Sequence, residues 1–155
     1  MRKDKAIKFY KLAKFMANEF SKDDSTKVGA AILRPDTLEI LSMGYNGMPR
    51  GINENIESRW KRPTKYSYVE HAERNAIYNA ARSGVPLKDS ICVTTLFPCT
   101  DCTRGLIQSG IKVLVTPDPI LTSSDEIIER WKEQWDLSTE MLNEANVEII
   151  MLDEK

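Results

Sequence analysis

Apolar residues recur at helical spacing near the start of the chain and then in two short runs. The spacing of three and four residues predicts an amphipathic helix over about residues 4–20, built on Ala6, Ile7, Tyr10, Ala13, Ala17 and Phe20. The apolar runs Val28–Leu33 and Glu39–Gly44 flank the turn-forming segment Arg34-Pro35-Asp36-Thr37. The first part of the chain is therefore predicted to be a helix followed by an antiparallel β-hairpin.

The rest of the chain alternates helical and β-branched patterns. Three helices are predicted, over His71–Arg82, Cys99–Ser109 and about 125–144. The first ends at Ser83-Gly84, and the last has Ser124 as N-cap and an interruption near Asp136-Leu137-Ser138. Strands are predicted over Ser90–Leu96, Lys112–Thr116 and Val147–Leu152. Residues 45–67 show no period, and loops of that length tend to be functional. The order α-β-β-α-β-α-β-α-β predicts an α/β fold. We expect a single three-layer α/β/α domain over residues 1–155, with a mixed sheet of about five strands.

Composition narrows the partners and the compartment. The 155 residues are 41% apolar and 29% charged, and the net charge of −1 gives no general attraction to nucleic acid. Residues 1–5 carry mixed charge and no long apolar run follows them, so we expect neither a signal peptide nor a membrane span. Three cysteines, two of them at C-x-x-C spacing, argue against a disulfide framework. We therefore expect a cytoplasmic protein with free thiols.

Candidate metal ligands are the only histidine, His71, and the two cysteines of Pro98-Cys99-Thr100-Asp101-Cys102. One imidazole and two thiolates give zinc three protein ligands and one open position, which is typical of a catalytic site. A helix start at Cys99 would point both sulfurs to one side and favour their thiolate form. Two alternatives stay open, namely a structural zinc with Cys92 as fourth ligand and a redox-active C-x-x-C. The redox alternative leaves His71-Ala72-Glu73 unexplained.

Glu73 follows His71 by two residues and is not needed as a ligand. On a helix its side chain points away from that of His71, toward the space beside the metal. The pairing of H-x-E with P-C-x-x-C is the signature of zinc-dependent nucleobase deaminases. We expect Glu73 to take a proton from a metal-activated water, to protonate N3 of a cytosine and then the amine leaving C4. This double role requires a pKa near neutral, which a partly dry pocket favours.

From about Ser21 to Leu152 the chain resembles the deoxycytidylate (dCMP) deaminases of the cytidine deaminase superfamily. The matching segments are Lys27-Val28-Gly29-Ala30, Gly44-Tyr45-Asn46-Gly47-Met48-Pro49-Arg50-Gly51, Lys65-Tyr66-Ser67-Tyr68-Val69, His71-Ala72-Glu73-Arg74-Asn75-Ala76-Ile77 and Leu96-Phe97-Pro98-Cys99. The zinc motif is shared by the whole superfamily, whereas the Gly-Tyr-Asn-Gly-Met-Pro-x-Gly block is much more specific to the dCMP enzymes. The resemblance implies a cytidine deaminase-like fold and hydrolysis of dCMP to dUMP.

The resemblance also implies residue roles and partners. It assigns zinc to His71, Cys99 and Cys102 and proton transfer to Glu73. Candidate substrate contacts, from the resemblance and from position near the pocket, are Asn46, Phe97, Lys27 and Tyr66. It further implies a homo-oligomer, with a hexamer favoured, that is activated by dCTP with Mg²⁺ and inhibited by dTTP. The candidate allosteric or interface residues are Tyr45, Gly47, Arg50 and Arg82.

The chain departs from the family pattern in three places. One histidine and one spare cysteine cannot build the second, structural zinc site of some relatives. Arg74 stands where relatives often have an apolar residue, which predicts different packing near the site or at a subunit contact. Residues 130–138 look like extra length, which affects the C-terminal part of any nucleotide site.

Several alternatives stay open at this point. Asn46 could take a left-handed turn instead of contacting a ligand. Tyr66 and Tyr68 would face opposite sides of an extended segment, and Trp131 and Trp135 favour core or subunit packing over base stacking. The rival functions are deamination of another cytosine nucleotide or of a tRNA base, and a catalytically silent nucleotide-sensing subunit.

Overall fold

Twelve helical and strand segments make up the described part of the chain, residues 1–153 of a computed structural model. The helices are α1 (Lys3–Phe20), α2 (Lys65–Tyr68), α3 (Ala72–Ser83), α4 (Thr100–Gln108), α5 (Pro119–Thr122) and α6 (Asp125–Glu144), with a 3₁₀ turn over Glu57–Trp60. The strands are β1 (Gly29–Leu33), β2 (Ile40–Tyr45), β3 (Ile91–Thr94), β4 (Val113–Pro117) and β5 (Glu148–Leu152). None of the helices within residues 1–153 is long and apolar enough to cross a membrane.

The five strands form one mixed sheet in the order β2-β1-β3-β4-β5. Strand β1 pairs antiparallel with both β2 and β3, whereas β3, β4 and β5 run parallel to one another. The predicted hairpin and the mixed five-stranded sheet are therefore confirmed. Parallel pairing requires a crossover between successive strands, and α4 and α6 provide it.

Helices cover both faces of the sheet, which confirms the three-layer architecture. All five residues of β1 are buried, and their side chains alternate between the two faces. Ala30 and Ile32 join the core cluster that contains residues of α3, α4 and α6. Ala31 and Leu33 join the other cluster, which contains Ala6 and Tyr10 of α1 and residues of the other strands. The metal-ligand candidates belong to the face that carries α3 and α4.

Helix α3 lies directly on β2 because a glycine leaves room for it. A Cβ atom on Gly44 would stand 2.4 Å from the carbonyl oxygen of Ala72 and 2.4 Å from the amide nitrogen of Ala76. The Ser42 hydroxyl donates a 2.7 Å hydrogen bond to the carbonyl of Ala76. The close approach at Gly44 and the Ser42 hydrogen bond together fix the start of α3, and with it the backbone of His71.

The structure corrects two predictions about element detail, the interruption in α6 and the extended segment at Tyr66. Helix α6 runs unbroken for 20 residues, so the expected interruption at residues 136–138 is wrong. Its Ser138 is fully buried and faces the core, and Lys132 bonds Asp136 across one helical turn. Ser124 occupies the N-cap position, but its side chain makes no capping hydrogen bond. Tyr66 lies on the short helix α2 and not on an extended segment.

Candidate active site

Two helix N-termini bring the three metal-ligand candidates together. His71 is the N-cap residue of α3, and Cys99 is the N-cap residue of α4, with Cys102 in the first turn of that helix. The Nδ1 atom of His71 lies 3.5 Å from the sulfur of Cys99 and 3.5 Å from the sulfur of Cys102. The three donor atoms all lie within 4.8 Å of one another.

The spacing of these donors fits zinc. A tetrahedral ion with Zn–N of about 2.0 Å and Zn–S of about 2.3 Å has N···S edges of roughly 3.5 Å, which matches the two observed distances of 3.5 Å. Cys92 is fully buried in the core and is not part of the donor group. The alternative of Cys92 as a fourth ligand is therefore wrong.

The donors also have the protonation chemistry of a metal site. The hydrogen bond with Cys102 lowers the pKa of Cys99 to about 4, despite partial burial, and His71 adds to the effect. The same hydrogen bond, together with burial and the charge of Glu73, raises the pKa of Cys102. The contact with Cys99 raises the pKa of His71. The three groups thus share protons that a divalent cation would displace.

Glu73 is buried beside this cluster. Its side chain is 3% exposed, and burial raises the pKa of its carboxyl group despite the opposing charge of His71. The Thr94 hydroxyl donates to its Oε1 at 3.2 Å, and the sulfur of Cys102 lies 3.5 Å from its Oε2. Because its pKa is raised, a carboxyl group held in this way can take up a proton and release it again more readily than an exposed carboxylate.

A cavity of about 290 Å³ opens next to these groups. The buried residues that line it include Asn46, Glu73 and Phe97, and His71 and Cys99 also border it. Its exposed lining includes the cations Arg62 and Arg130 and the ring of Tyr66. Trp131 and Trp135 line it as well, although the sequence favoured packing roles for both; Trp135 serves both purposes because it is also part of the core.

The side-chain amide of Asn46 is fully engaged within the chain. Its Oδ1 accepts hydrogen bonds from the Val28 amide at 2.8 Å and from the Ser21 hydroxyl at 2.9 Å. Its Nδ2 donates to the Thr26 carbonyl at 2.8 Å and lies 3.4 Å from Asp23. Asn46 does not have a positive φ, so the left-handed turn is wrong. The residue fixes the segment 21–28 along one wall of the cavity.

Sequence reasoning missed a buried ion pair in the same wall. The ammonium of Lys65 lies 2.6 Å from the carboxylate of Asp23, and the two side chains are 8% and 3% exposed. Lys65 also donates to the Ser25 hydroxyl at 2.7 Å. Although burial opposes ionisation, the contacts with Lys65 and Ser25 lower the pKa of Asp23. The only sequence signal was the presence of Lys65 in a matching segment.

The remaining predicted site residues lie outside the cavity. Lys27 is exposed and donates to the carbonyl of Asn18, and it is not part of the cavity lining. Tyr45, Gly47 and Arg50 border a second cavity, of about 230 Å³, where Arg50 bonds Asn79 of α3. Arg82 is exposed in the last turn of α3 and borders neither of these two cavities.

Comparison with known proteins places this chain among nucleotide deaminases. The model of the cytidine and deoxycytidylate deaminase zinc-binding region matches residues 3–117. The chain is 34% identical over 147 residues to an uncharacterized deaminase in the luxG 3' region of Aliivibrio fischeri, which covers 95% of this chain and 92% of that one. It is 36% identical over 124 residues to human deoxycytidylate deaminase, covering 76% of this chain and 67% of the human protein.

Solved structures show the same fold. The dCMP deaminase of cyanophage S-TIM5, in its apo form, superposes with a TM-score of 0.73 at 25% identity, over 98% of this chain and 100% of that one. The fold, the donor set and these matches define a zinc-binding nucleotide deaminase, which is a hydrolase. The chain belongs to the cytidine and deoxycytidylate deaminase family, and within it to the dCMP deaminases.

Proposed function

We propose that this protein catalyses the hydrolytic deamination of dCMP to dUMP with one catalytic zinc. The observation that carries the proposal is a buried carboxyl group, that of Glu73, beside three converging metal donors at a cavity large enough for a base. The names of its relatives, including deoxycytidylate deaminases of human and of phage T4, support the choice of substrate.

Glu73 carries the protons in this proposal. Zinc, when held by His71, Cys99 and Cys102, lowers the pKa of a water molecule and so supplies the nucleophile. Glu73 accepts one proton of this water and delivers it to N3 of the cytosine as the oxygen adds to C4. It then takes the second proton from the new C4 hydroxyl and delivers it to the departing amine. The C4–N bond breaks, ammonia leaves, and an oxygen from water becomes the C4 carbonyl. Thr94 orients the Glu73 carboxyl group through its hydroxyl.

The cavity lining favours an anionic, base-bearing ligand. Phe97 and Trp131 offer apolar surface to a pyrimidine ring, and Asn46 holds the adjoining wall in place. Arg62 and Arg130 bring two positive charges, whereas Asp23 is already neutralised by Lys65. We therefore assign phosphate binding to the two arginines, and Lys27 does not contribute to the lining.

The test is an ammonia-release assay over dCMP, CMP, dCTP, deoxycytidine and a tRNA, with zinc measured on the same sample. We expect one zinc per chain and the highest kcat/KM on dCMP. Arg130→Gln should raise KM for dCMP while leaving the weaker use of deoxycytidine unchanged, because only the nucleotide carries the phosphate. A preference for deoxycytidine or for tRNA would refute the assignment.

Glu73→Gln tests the proton carrier. The substitution keeps the size of the side chain but removes the titratable proton, so we expect zinc to be retained and kcat to fall by about 10²- to 10⁴-fold. Glu144→Gln, at the exposed end of α6, is the matched control and should leave kcat unchanged. Full activity of Glu73→Gln would remove the proposed role.

We assign regulation to the second cavity, lined by Tyr45, Gly47 and Arg50. An effector nucleotide, dCTP with Mg²⁺ as activator or dTTP as inhibitor, would bind there in a homo-oligomer, with a hexamer favoured. The experiment adds each nucleotide to the dCMP assay and measures the molar mass by light scattering. We expect Arg50→Gln to abolish both responses but not the basal rate. A flat response of the unmodified protein would contradict the assignment.

A further inference from the structure

Arg74, in the first turn of α3, connects the two segments that carry the metal-ligand candidates. Its Nε and Nη2 both lie 2.5 Å from Oε1 of Glu70, the residue before His71. Its Nη1 lies 3.6 Å from the carboxylate of Asp101, the residue between the two candidate cysteine ligands. The guanidinium thus bridges the chain next to His71 and the first turn of α4.

The same residues contact the site through the backbone and through packing. The Glu70 carboxylate accepts a 3.0 Å hydrogen bond from the backbone amide of His71. The aliphatic part of Arg74 covers Gly105 of α4, where an added Cβ would lie 3.7 Å from its Cγ. Both carboxylates and the guanidinium are therefore parts of one connection between α3 and α4.

The site needs such a connection because its ligands are far apart in sequence. His71 precedes Cys99 by 28 residues, and the two helices carry their ligands independently. Zinc tolerates donor distances within only about 0.2 Å of their preferred values. A small change in the separation of the helix N-termini would therefore weaken the site.

We propose that Arg74 is a positioning residue that holds His71 at zinc-binding distance from Cys99 and Cys102 by bridging Glu70 and Asp101. The inference rests on the zinc site of the proposed function. A guanidinium suits this task because its planar donors engage two carboxylates in fixed directions, which a lysine ammonium does not reproduce. This gives the unexpected arginine at this position a role within the chain, in addition to any subunit contact.

The test measures zinc affinity by competition with a chromophoric chelator. Arg74→Leu retains apolar cover over Gly105 but loses both ionic contacts, and we expect its zinc dissociation constant to rise about 10- to 100-fold. The matched control is Arg104→Gln, since Arg104 bonds Asp101 but does not reach Glu70 among the contacts of the described residues. We expect its zinc affinity to stay within about twofold of the parent.

Two further measurements separate positioning from general stability. With Co²⁺ in place of zinc, the ligand-field absorption bands of Arg74→Leu should shift, whereas the free energy of unfolding of its metal-free form should stay within about 1 kcal/mol of the parent. Asp101→Asn changes an exposed side chain only and should weaken zinc binding in the same direction, so the test does not depend on folding of Arg74→Leu.

Unchanged zinc affinity and Co²⁺ spectra in both Arg74→Leu and Asp101→Asn would overturn the inference while leaving the proposed function intact. A parent protein that binds no zinc would overturn the proposed function itself, and the positioning role with it. Equal losses of zinc affinity in Arg74→Leu and in Arg104→Gln would also overturn the positioning role of Arg74, because the contact with Glu70 would then make no difference to zinc binding.

Discussion

At the scale of single residues, the cavity wall depends on polar groups that are buried and mutually satisfied. Asn46 uses both ends of its amide within the chain, and the ion pair of Asp23 with Lys65 lies beside it. A buried charge without its partner is strongly unfavourable. We therefore expect this wall to lose much of its stability when one member of the pair is removed.

Asp23→Asn should lower the free energy of unfolding at pH 7 by about 3 kcal/mol, because it leaves the Lys65 ammonium buried without a counter-charge. Asp24→Asn, the exposed neighbour, is the control and should change it by less than about 0.5 kcal/mol. Urea unfolding measures both. A destabilisation of Asp23→Asn no larger than that of the control would contradict the role of the pair.

The effect of Asp23→Asn should depend on pH. The folded protein lowers the pKa of Asp23, so the ionised carboxylate stabilises the fold above its unfolded pKa of about 4. That stabilisation is lost as the pH falls through the lower, folded value. The difference in the free energy of unfolding between the parent and Asp23→Asn should therefore become smaller from pH 7 to pH 3. A difference that stays constant over this range would exclude this linkage.

At the scale of elements, the contact of α3 with β2 sets the position of His71. Gly44→Ala should force the helix away from the strand, since the new methyl group would lie 2.4 Å from backbone atoms of α3. We expect a loss of about 3 kcal/mol in the free energy of unfolding, together with weaker zinc binding.

Gly105→Ala is the matched control for Gly44→Ala. Its added Cβ would meet Ile77 at 3.5 Å, an ordinary contact, and alanine favours the helical backbone of α4 over glycine. Thermal melts and chelator titrations of both variants give the comparison. If both variants behave alike, the close approach of α3 to β2 does not position the site.

The sequence predicts the long elements and the chemistry-bearing residues well. Helix α3 is marked by its apolar period and by the stop at Gly84, and the donors His71, Cys99 and Cys102 by their spacing. Short α2 and α5 have only four residues each and leave no period to detect. The interruption expected in α6 is absent because tertiary packing buries Ser138, which overrides its local preference.

Long-range pairing is what the sequence could not provide. Nothing local indicates that Asp23 meets Lys65, since the two residues are brought together only by the fold. The same holds for Arg130 and Trp131, which sequence analysis placed in a segment of extra length and the fold places at the cavity. An exposed arginine and a half-buried tryptophan also occur on ordinary surface helices, so the residue types alone do not indicate a cavity.

At the scale of the whole molecule, zinc would add a direct link between the N-termini of α3 and α4, beyond their packing and the ionic contacts of Arg74. Removal of the metal should therefore lower the melting temperature as well as abolish turnover. An ion present at about 1,000 times its dissociation constant stabilises the folded state by about 4 kcal/mol, which corresponds to roughly 10 °C for a chain of this size.

Calorimetry with and without a chelator measures this shift. Glu73→Gln should show the same shift as the parent, because Glu73 is not one of the three donors. An unchanged melting temperature of the parent after complete metal removal would mean that the ion does not bind the native fold more tightly than the unfolded chain.

The three cysteine thiols differ sharply in accessibility and acidity. Cys92 and Cys102 are fully buried and burial contributes to the raised pKa of each, whereas Cys99 is partly exposed with a pKa of about 4. An electrophile such as iodoacetamide will therefore alkylate the empty protein at a single position, and an occupying ion will shield that same atom. The fraction of chains that are not alkylated then measures the fraction of protein with bound metal. Oxidants should likewise react first with the metal-free protein.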